Sequence, residues 1–169
     1  MADISNKKRY IYFFIITGSI ILLDQVTKSI IHNKMRLYET IIVIDNFFNL
    51  TYVRNPGGAF SIFAETSERF RFIFFISASI IALILLVIFF IKTEADDKLT
   101  SASLSLIFGG AVGNLIDRII SGEVIDFLDF YLKGYHWPSF NIADSSITIG
   151  VSLLMLNIML KRNDTKEIP

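Results

Sequence analysis

Apolar residues are concentrated in four long runs along the chain, and the second run is the least interrupted. It extends over 70–91 and contains a single charged residue, Arg71. At about 1.5 Å per residue this run covers roughly 33 Å, which matches the thickness of the hydrocarbon core of a bilayer. The pattern therefore predicts a membrane-spanning helix over about 70–91.

The first run, 10–23, has the length of the apolar part of a secretory signal peptide. Its continuation differs from a cleavage site, because the polar sequence 24–28 leads into Ser29, Ile30 and Ile31 rather than into small residues. We therefore predict a retained helix over about 10–31, with two charged residues near its end.

The third and fourth runs predict helices over about 99–120 and 142–160. The third contains Gly109 and Gly113, whose spacing allows a neighbouring helix to approach closely in lipid. The fourth has Asp144 in its first turn. We expect an all-α membrane protein in which four transmembrane helices form one integral membrane domain, 1–169.

An even number of spans places both termini on the same side of the membrane. Eight of the sixteen Lys and Arg residues lie in the short segments 1–9, 92–98 and 161–169, and the other eight are spread over 28–71 and 118–141. Because cytoplasmic segments are enriched in Lys and Arg, this distribution places both termini in the cytoplasm. The segment between the first two helices then lies outside the cell.

This extracellular segment contains a predicted β-hairpin. The stretches 40–44 and 48–53 are rich in β-branched and aromatic residues, and Asp45 and Asn46 separate them. The sequence 54–60 follows and forces a turn. We therefore expect a small extracellular β segment over about 38–60.

Composition restricts the chemistry that such a protein can perform. The chain has 53% hydrophobic residues, equal numbers of basic and acidic residues, and no cysteine. Because the chain has no excess of positive charge, we do not expect it to bind nucleic acid as its main function. The absence of cysteine excludes thiolate nucleophiles, and two distant histidines, His32 and His136, argue against a histidine metal centre. We expect neither a metal nor another cofactor.

Charged residues at membrane depth are the most informative feature of the chain. An ionisable side chain in a span costs about 2.5–3.5 kcal/mol on insertion scales, so each one requires a reason. Under the predicted topology, the polar residues of the helix ends fall at the outer interface. They are Asp24, Lys28, Asn114, Asp117, Arg118, Asp126, Asn141 and Asp144.

Two of these residues, Asp126 and Asp144, form a candidate catalytic pair. Two carboxyl groups in a partly dry site do not both ionise easily and therefore share one proton. The ionised group can take a proton from water while the protonated group hydrogen-bonds a scissile carbonyl. This chemistry hydrolyses a peptide bond without metal, thiol or histidine.

Simpler interpretations of the same residues remain open. Asp144 can serve only as a favourable charge at a helix N-terminus, and Asp126 can be an ordinary loop acid, as we suppose Asp129 to be. Asp24 and Lys28, four residues apart, can form a helix-end ion pair. Arg118 is expected to pair across the bundle. An alternative enzyme would use Lys28 with Ser145 or Ser146 as a serine/lysine dyad.

Two other functional classes fit a small polytopic protein less well. A proton-coupled carrier should place polar residues at the bilayer midplane, whereas the middles of the second and fourth predicted helices are apolar. A non-catalytic assembly protein could use Gly109 and Gly113 for packing. It would leave the clustered polar residues unexplained.

Five sequence blocks together resemble the lipoprotein signal peptidases (signal peptidase II). In chain order they are DQVTK at 24–28, RNPGGAF at 54–60, GGAVGNLIDR at 109–118, VIDF at 124–127 and FNIADS at 140–145. They extend from the first predicted helix to the fourth. One departure is Gly58, where the family more usually has Ala, and we expect it to loosen the turn without altering the chemistry.

The resemblance implies an aspartyl endopeptidase of the bacterial plasma membrane, active at the outer face. Its substrate would be a prolipoprotein whose cysteine already carries diacylglycerol. Asp126 and Asp144 would be the catalytic residues. Residues that bind substrate or support the site would be Asn55, Gly57, Asn114, Arg118, Asn141, Asp24 and Lys28. The family also implies a β-cradle between the first two helices, contact with membrane lipids, and inhibition by globomycin. We expect the protein to act as a monomer.

Overall fold

The computed structural model describes residues 2–57, 63 and 65–164, with side chains described from 6 to 161. In chain order the elements are α1 (Ala2–Lys34), β1 (Thr40–Ile44), β2 (Phe48–Asn55), α2 (Glu68–Lys92), α3 (Lys98–Ser121), β3 (Val124–Leu132), β4 (Tyr135–His136) and α4 (Ile142–Asp164). Within the described residues, four helices are long and apolar enough to cross a membrane. This confirms the predicted fold class. Gly58 and the rest of 58–60 lie outside the described residues.

Two of the helices are longer than the apolar runs predict. α1 begins at Ala2 rather than near residue 10, and α4 continues to Asp164 rather than ending near residue 160. Hydropathy marks only the part of a helix that matches the bilayer core, whereas Lys and Arg continue a helix readily into polar surroundings. The predicted bounds are therefore those of the apolar segments alone.

α2 is the outermost helix of the bundle. Its apolar window has a mean hydropathy of 3.1, and none of that window is buried inside the protein. The Ser67 side chain accepts a hydrogen bond from the Phe70 N–H and starts the helix, and Phe90 is its one buried residue. α2 packs against α3. Its remaining surface is apolar and suits contact with lipid chains.

α3 lies at the centre of the bundle and contacts the other three helices. Its glycines mark the places of closest approach. A Cβ at Gly109 would lie 3.0 Å from Ile20 Cβ of α1, and one at Gly113 would lie 2.7 Å from Asp24 Oδ2. At Gly110 a Cβ would collide with the carbonyl oxygen of Ala143 in α4. The expected close packing through these glycines is confirmed.

Four antiparallel strands form a sheet in the order β1-β2-β3-β4. The predicted hairpin of β1 and β2 is present, and Asn46 adopts a positive φ of 57° between its strands. β3 and β4, which follow α3, were not predicted as strands. Val53 pairs with Asp126 in the β2–β3 register, so an acid expected in a loop lies instead on a strand.

Two apolar clusters lie at opposite ends of the molecule. One contains Ile31, Met35, Tyr52 and Phe127, where α1 meets the sheet. The other contains Phe13, Phe90 and Leu104, near the beginning of α1. The buried residues between them, at the level of 24–28 in α1, are largely polar. The fold therefore places a polar layer beneath the sheet.

Replacement of Gly110 by alanine tests the packing of α3 against α4. The added methyl would collide with the Ala143 carbonyl and would lie 2.6 Å from Ser146 Oγ. We expect Gly110→Ala to lower the free energy of unfolding by about 1–3 kcal/mol or more. Thermal unfolding of the purified protein in detergent measures the change.

Gly18→Ala is the matched control, because a Cβ there has no neighbour within 4 Å. Alanine is favoured over glycine inside a helix by roughly 0.5–1 kcal/mol, so this variant should be as stable as the parent or more so. Equal unfolding temperatures for the two variants would contradict the packing described for α3 and α4.

Candidate active site

A buried lysine at the end of α1 organises the polar layer. Lys28 Nζ lies 2.7 Å from Asp24 Oδ2 and 2.9 Å from Asp117 Oδ2 of α3, and it donates a hydrogen bond to Asn114 Oδ1. Lys28 is only 2% exposed, and Asp24 is fully buried. The pair expected at a helix end is thus part of a larger buried network with two carboxylates around one ammonium.

The two carboxylates of this network also hold backbone groups of other elements. Asp24 Oδ1 accepts a 2.9 Å hydrogen bond from the Ala143 N–H in the first turn of α4. Asp117 Oδ2 accepts a 3.2 Å hydrogen bond from the Ile125 N–H at the start of β3. Ala143 and Ile125 immediately precede the two aspartates predicted to form the catalytic pair.

Asp126 extends from β3 into this layer and is 3% exposed. Its Oδ1 accepts a 2.8 Å hydrogen bond from Asn141 Nδ2, and its Oδ2 accepts a 3.1 Å hydrogen bond from Asn55 Nδ2. Burial and then the nearby charge of Asp144 raise the pKa of Asp126 to about 7, despite the two amide donors and the charge of Lys28. Burial and the neighbouring carboxylate thus favour the protonated form of Asp126.

Asp144 lies in the first turn of α4. Its Oδ1 accepts a 2.7 Å hydrogen bond from Asn114 Nδ2. The side chain of Asn141 accepts from the Asp144 N–H, and Asp144 Oδ2 accepts from the Asn141 N–H at 3.3 Å. This reciprocal arrangement caps the N-terminus of α4, and it places the carboxyl group of Asp144 at the helix N-terminus, where the simpler interpretation also expects it.

Asn114 and Asn141 connect the two carboxyl groups. Asn141 Nδ2 contacts Asp126 Oδ1 and also Asn114 Oδ1, the latter at 3.2 Å, while Asn114 Nδ2 contacts Asp144. Asn141 is fully buried. Hydrogen bonds along the series Asp126–Asn141–Asn114–Asp144 hold the two acids relative to each other.

Both acids line one cavity of about 840 Å³ at this end of the bundle. Asn55, Asn114 and Arg118 line it as well. Apolar side chains complete the wall, among them Trp137 beyond β4 and Ile147 and Ile149 of α4. Ile149 is 53% exposed, so the cavity continues along α4 to the outer surface of the bundle.

Arg118 connects the cavity with α2 and with the end of β2. Its guanidinium lies 4.9 Å from the ring centroid of Phe75 and donates to the Gly57 carbonyl at 3.4 Å. Gly57 N–H in turn donates to Asn55 Oδ1 at 3.0 Å. The expected interaction of Arg118 across the bundle is confirmed, and its partners are an aromatic ring and a backbone carbonyl.

The nine residues predicted for the site lie in one connected region. Sequence reasoning missed two further contributors. Asp117 is among the polar residues expected at the outer interface, but no role is predicted for it. No role is predicted for Gln25 either. Gln25 Nε2 donates to Asp117 Oδ1 at 3.0 Å and to the Gly113 carbonyl at 3.2 Å. The signal was the position of Gln25 directly beside Asp24 in a polar block.

The serine/lysine alternative requires contact between a lysine amine and a serine hydroxyl. Instead, Ser145 Oγ donates to the Asn141 carbonyl and Ser146 Oγ to the Ala143 carbonyl, both at 2.8 Å. Lys28 contacts aspartates and Asn114. The geometry thus favours the carboxyl pair as the reactive centre.

Comparison with known proteins shows which family the chain resembles. The family profile described as signal peptidase (SPase) II matches residues 16–160. The lipoprotein signal peptidase of Syntrophus aciditrophicus is 47% identical over 158 residues, covering 94% of this chain and 98% of that protein. That of Geobacter sulfurreducens is 48% identical over 159 residues, covering 94% of this chain and 96% of that protein.

A solved structure has the same architecture. It is described as a bacterial membrane enzyme determined by the in meso method at 2.3 Å resolution, and it is 41% identical with a TM-score of 0.83 over 93% of each chain. The match thus extends over nearly the whole of both chains. On the strength of sequence and architecture together, this chain belongs to the signal peptidase II family.

Proposed function

We propose that this protein is an aspartyl endopeptidase that removes the signal peptide from diacylglyceryl-modified prolipoproteins. The observation that carries this proposal is the placement of Asp126 and Asp144 on one cavity, joined through Asn141 and Asn114. Relatives named lipoprotein signal peptidase support the substrate class.

The proposed reaction uses one proton shared by the two acids. Because the pKa of Asp126 is raised to about 7, Asp126 is the protonated member and hydrogen-bonds the scissile carbonyl oxygen. Asp144 accepts the proton of the attacking water. The C–N bond of the resulting tetrahedral intermediate then breaks as the amine leaving group takes up the proton that Asp144 accepted, and Asp126 keeps or regains its own proton as the carbonyl re-forms. Limited access of bulk water strengthens each of these hydrogen bonds.

The shape of the cavity suits a substrate that arrives within the bilayer. Its wall follows Ile147 and Ile149 along α4 from Asp144 towards the lipid-facing surface. Acyl chains and a signal helix can lie along this apolar surface while the scissile bond reaches the acids. Globomycin-type inhibitors would occupy the same cavity. All the residues used here come from one chain, so a monomer suffices.

The charge distribution supports the proposed orientation. The end of the bundle opposite the site carries Lys7, Lys8, Arg9, Lys92, Lys98 and Lys161. By the positive-inside rule this end faces the cytoplasm and the acids lie at the outer leaflet of the bacterial plasma membrane. A signal helix inserted from the cytoplasm presents its cleavage site at that outer face.

Substitution of either acid tests the reaction centre. Asp126→Asn and Asp144→Asn should each lower cleavage of a diacylglyceryl prolipoprotein by about 100- to 10,000-fold or more, because a general acid or base is removed. Turnover by purified protein in detergent, followed by gel shift of the precursor, measures the loss.

The matched control is Asp129→Asn. Asp129 is also buried on β3, but its partners are Asn49 and His136 and it does not line the cavity. This variant, together with Ser145→Ala and Ser146→Ala, should retain most activity. Substantial turnover by either Asp126→Asn or Asp144→Asn, or a dead Ser145→Ala, would refute the carboxyl pair.

The raised pKa of Asp126 predicts a pH dependence of catalysis. Loss of the shared proton as pH rises through about 7 removes the acid, so kcat/KM should fall on the alkaline side with an apparent pKa near 7 that belongs to the pair. Asp129→Asn should give the same profile. A value of kcat/KM that stays constant from about pH 6 to about pH 9 would contradict this assignment.

Stability should show the same ionisation. The ordinary pKa of this carboxyl is 3.8, and in the folded protein the pKa is about 7. At pH values between these two, the folded protein therefore holds the proton of Asp126 more tightly than the unfolded chain does. This carboxyl therefore destabilises the fold as pH rises, by on the order of 4 kcal/mol above pH 7. The unfolding temperature of Asp126→Asn relative to the parent should accordingly increase from pH 4 to pH 8.

A pair of precursors tests the lipid requirement. Burial of even about four methylene groups of an acyl chain corresponds to about 3 kcal/mol, or roughly a hundredfold in kcat/KM. We expect the diacylglyceryl precursor to be cleaved at least that much faster than the same precursor with an unmodified cysteine. Equal rates would leave the endopeptidase assignment standing and would refute the substrate class.

A further inference from the structure

A second cavity of about 350 Å³ lies at the opposite end of the bundle from the acids. It lies where α1 begins and where α3 starts after its connection with α2. Its lining includes three basic side chains, Lys8, Arg9 and Lys98, together with Ser101, Tyr12 and Phe13. None of these residues takes part in the proposed reaction.

Arg9 is a buried cation at this cavity. It is 7% exposed, its guanidinium lies 4.9 Å from the ring centroid of Phe90, and one terminal nitrogen donates to the Thr93 carbonyl. Arg9 Nε has no hydrogen-bond partner among the described residues. Among the side chains that the structure describes, no carboxylate pairs with it, in contrast to Lys28, which contacts two. A buried cation paired only with an aromatic ring and a carbonyl oxygen, and with no carboxylate, favours a bound anion.

Ser101 supplies a second unused donor in the same cavity. It is 8% exposed, and its hydroxyl has no hydrogen-bond partner within the part of the chain that the structure describes. Two other serines of α3 behave differently, since Ser103 Oγ donates to the Leu99 carbonyl and Ser105 Oγ to the Ser101 carbonyl. The free Ser101 hydroxyl and Arg9 Nε therefore leave two buried donors at one cavity.

The charged residues that line the cavity are all basic. Lys8 and Lys98 lie at its exposed rim, and its described lining contains no acidic residue. Asp97, the neighbour of Lys98, lies instead 2.6 Å from Lys161 and accepts a hydrogen bond from Asn157. The cavity thus combines positive charge with hydrogen-bond donors, the combination that binds phosphate oxygens.

The apolar part of the wall indicates an amphipathic ligand rather than a free anion. Tyr12, Phe13 and Ile16 extend the cavity along α1 towards the membrane core. Tyr12 is 60% exposed on the lipid-facing surface. A small anion would use the donors and leave this apolar surface uncovered, whereas a phospholipid covers it with an acyl chain.

We propose that this cavity binds the phosphodiester headgroup of an anionic phospholipid in the leaflet at the amino-terminal end of α1. Arg9 Nε and Ser101 Oγ donate to phosphate oxygens, while Lys8 and Lys98 supply attraction at the rim. An acyl chain lies along Tyr12 and Ile16. Basic cavities between spanning helices at such interfaces suit anionic headgroups.

Lipid binding by the full-length purified protein tests this site. Native mass spectrometry would compare dioleoyl phosphatidylglycerol with dioleoyl phosphatidylcholine, and a thermal-unfolding arm would add inorganic phosphate alone. The parent should bind phosphatidylglycerol preferentially. In the double variant Lys8→Gln/Lys98→Gln this binding should weaken by about tenfold or more, because each basic residue near the surface contributes measurably.

Two matched controls make the test specific. Lys7→Gln/Lys92→Gln removes the same charge from the same end of the bundle without touching the cavity lining, and it should retain phosphatidylglycerol binding. Ser101→Ala should weaken binding, whereas Ser103→Ala should not. These variants avoid the buried Arg9, whose loss could impair folding.

Three results would overturn the proposal. The first is equal binding of the two lipids by the parent. The second is an equal loss of phosphatidylglycerol binding in both lysine double variants. The third is an increase in unfolding temperature with inorganic phosphate that is as large as the increase with phosphatidylglycerol. The last result would identify a site for a free anion. None of these measurements depends on peptidase activity.

Discussion

Burial of the Lys28 ammonium in a membrane-embedded bundle is the constraint on which the remaining structure depends. Such a charge is tolerated only with close counter-charges, and Asp24 and Asp117 supply them from α1 and α3. The same two carboxylates accept hydrogen bonds from the Ala143 and Ile125 N–H groups. One ammonium thereby holds two helices, the start of α4 and the start of β3 in fixed relation. Each backbone group held in this way directly precedes one of the acids proposed to carry the reaction.

The acids themselves come from different kinds of element. Asp126 is on a strand and Asp144 on a helix, so neither periodicity nor spacing within one element sets their relation. Asn141 and Asn114 do so instead, through amides that donate to both carboxyl groups. The raised pKa of Asp126 follows from the same arrangement, because burial and the charge of Asp144 outweigh the amide hydrogen bonds. A supported, partly dry pair is thus a direct product of how the sheet covers the helix ends.

Much of this architecture can be inferred from the chain because the bilayer imposes a strict length and polarity on its spans. The four helices and the convergence of polar residues at one end follow from that constraint, whereas the first hairpin follows from its β-branched and aromatic residues. β3 escaped prediction because acids at 126 and 129 made it resemble a loop. The reason for their burial lies in partners distant along the chain, such as Asn49 for Asp129. The contribution of Asp117 was equally hidden, since an acid beside Arg118 gives no sign that its partner is Lys28.

The outward position of α2 has a consequence for variation among relatives. Its lipid-facing residues contact lipid chains that are as apolar as the residues themselves. Exchanges among leucine, isoleucine, valine and phenylalanine there should therefore change the stability of the protein little. Two positions differ, since Phe90 packs into the bundle and Phe75 receives the guanidinium of Arg118. Natural selection should therefore act on this helix mainly through its length and these two aromatic rings. Elsewhere along it, sequence drift should be wide while the bundle and its chemistry remain unchanged.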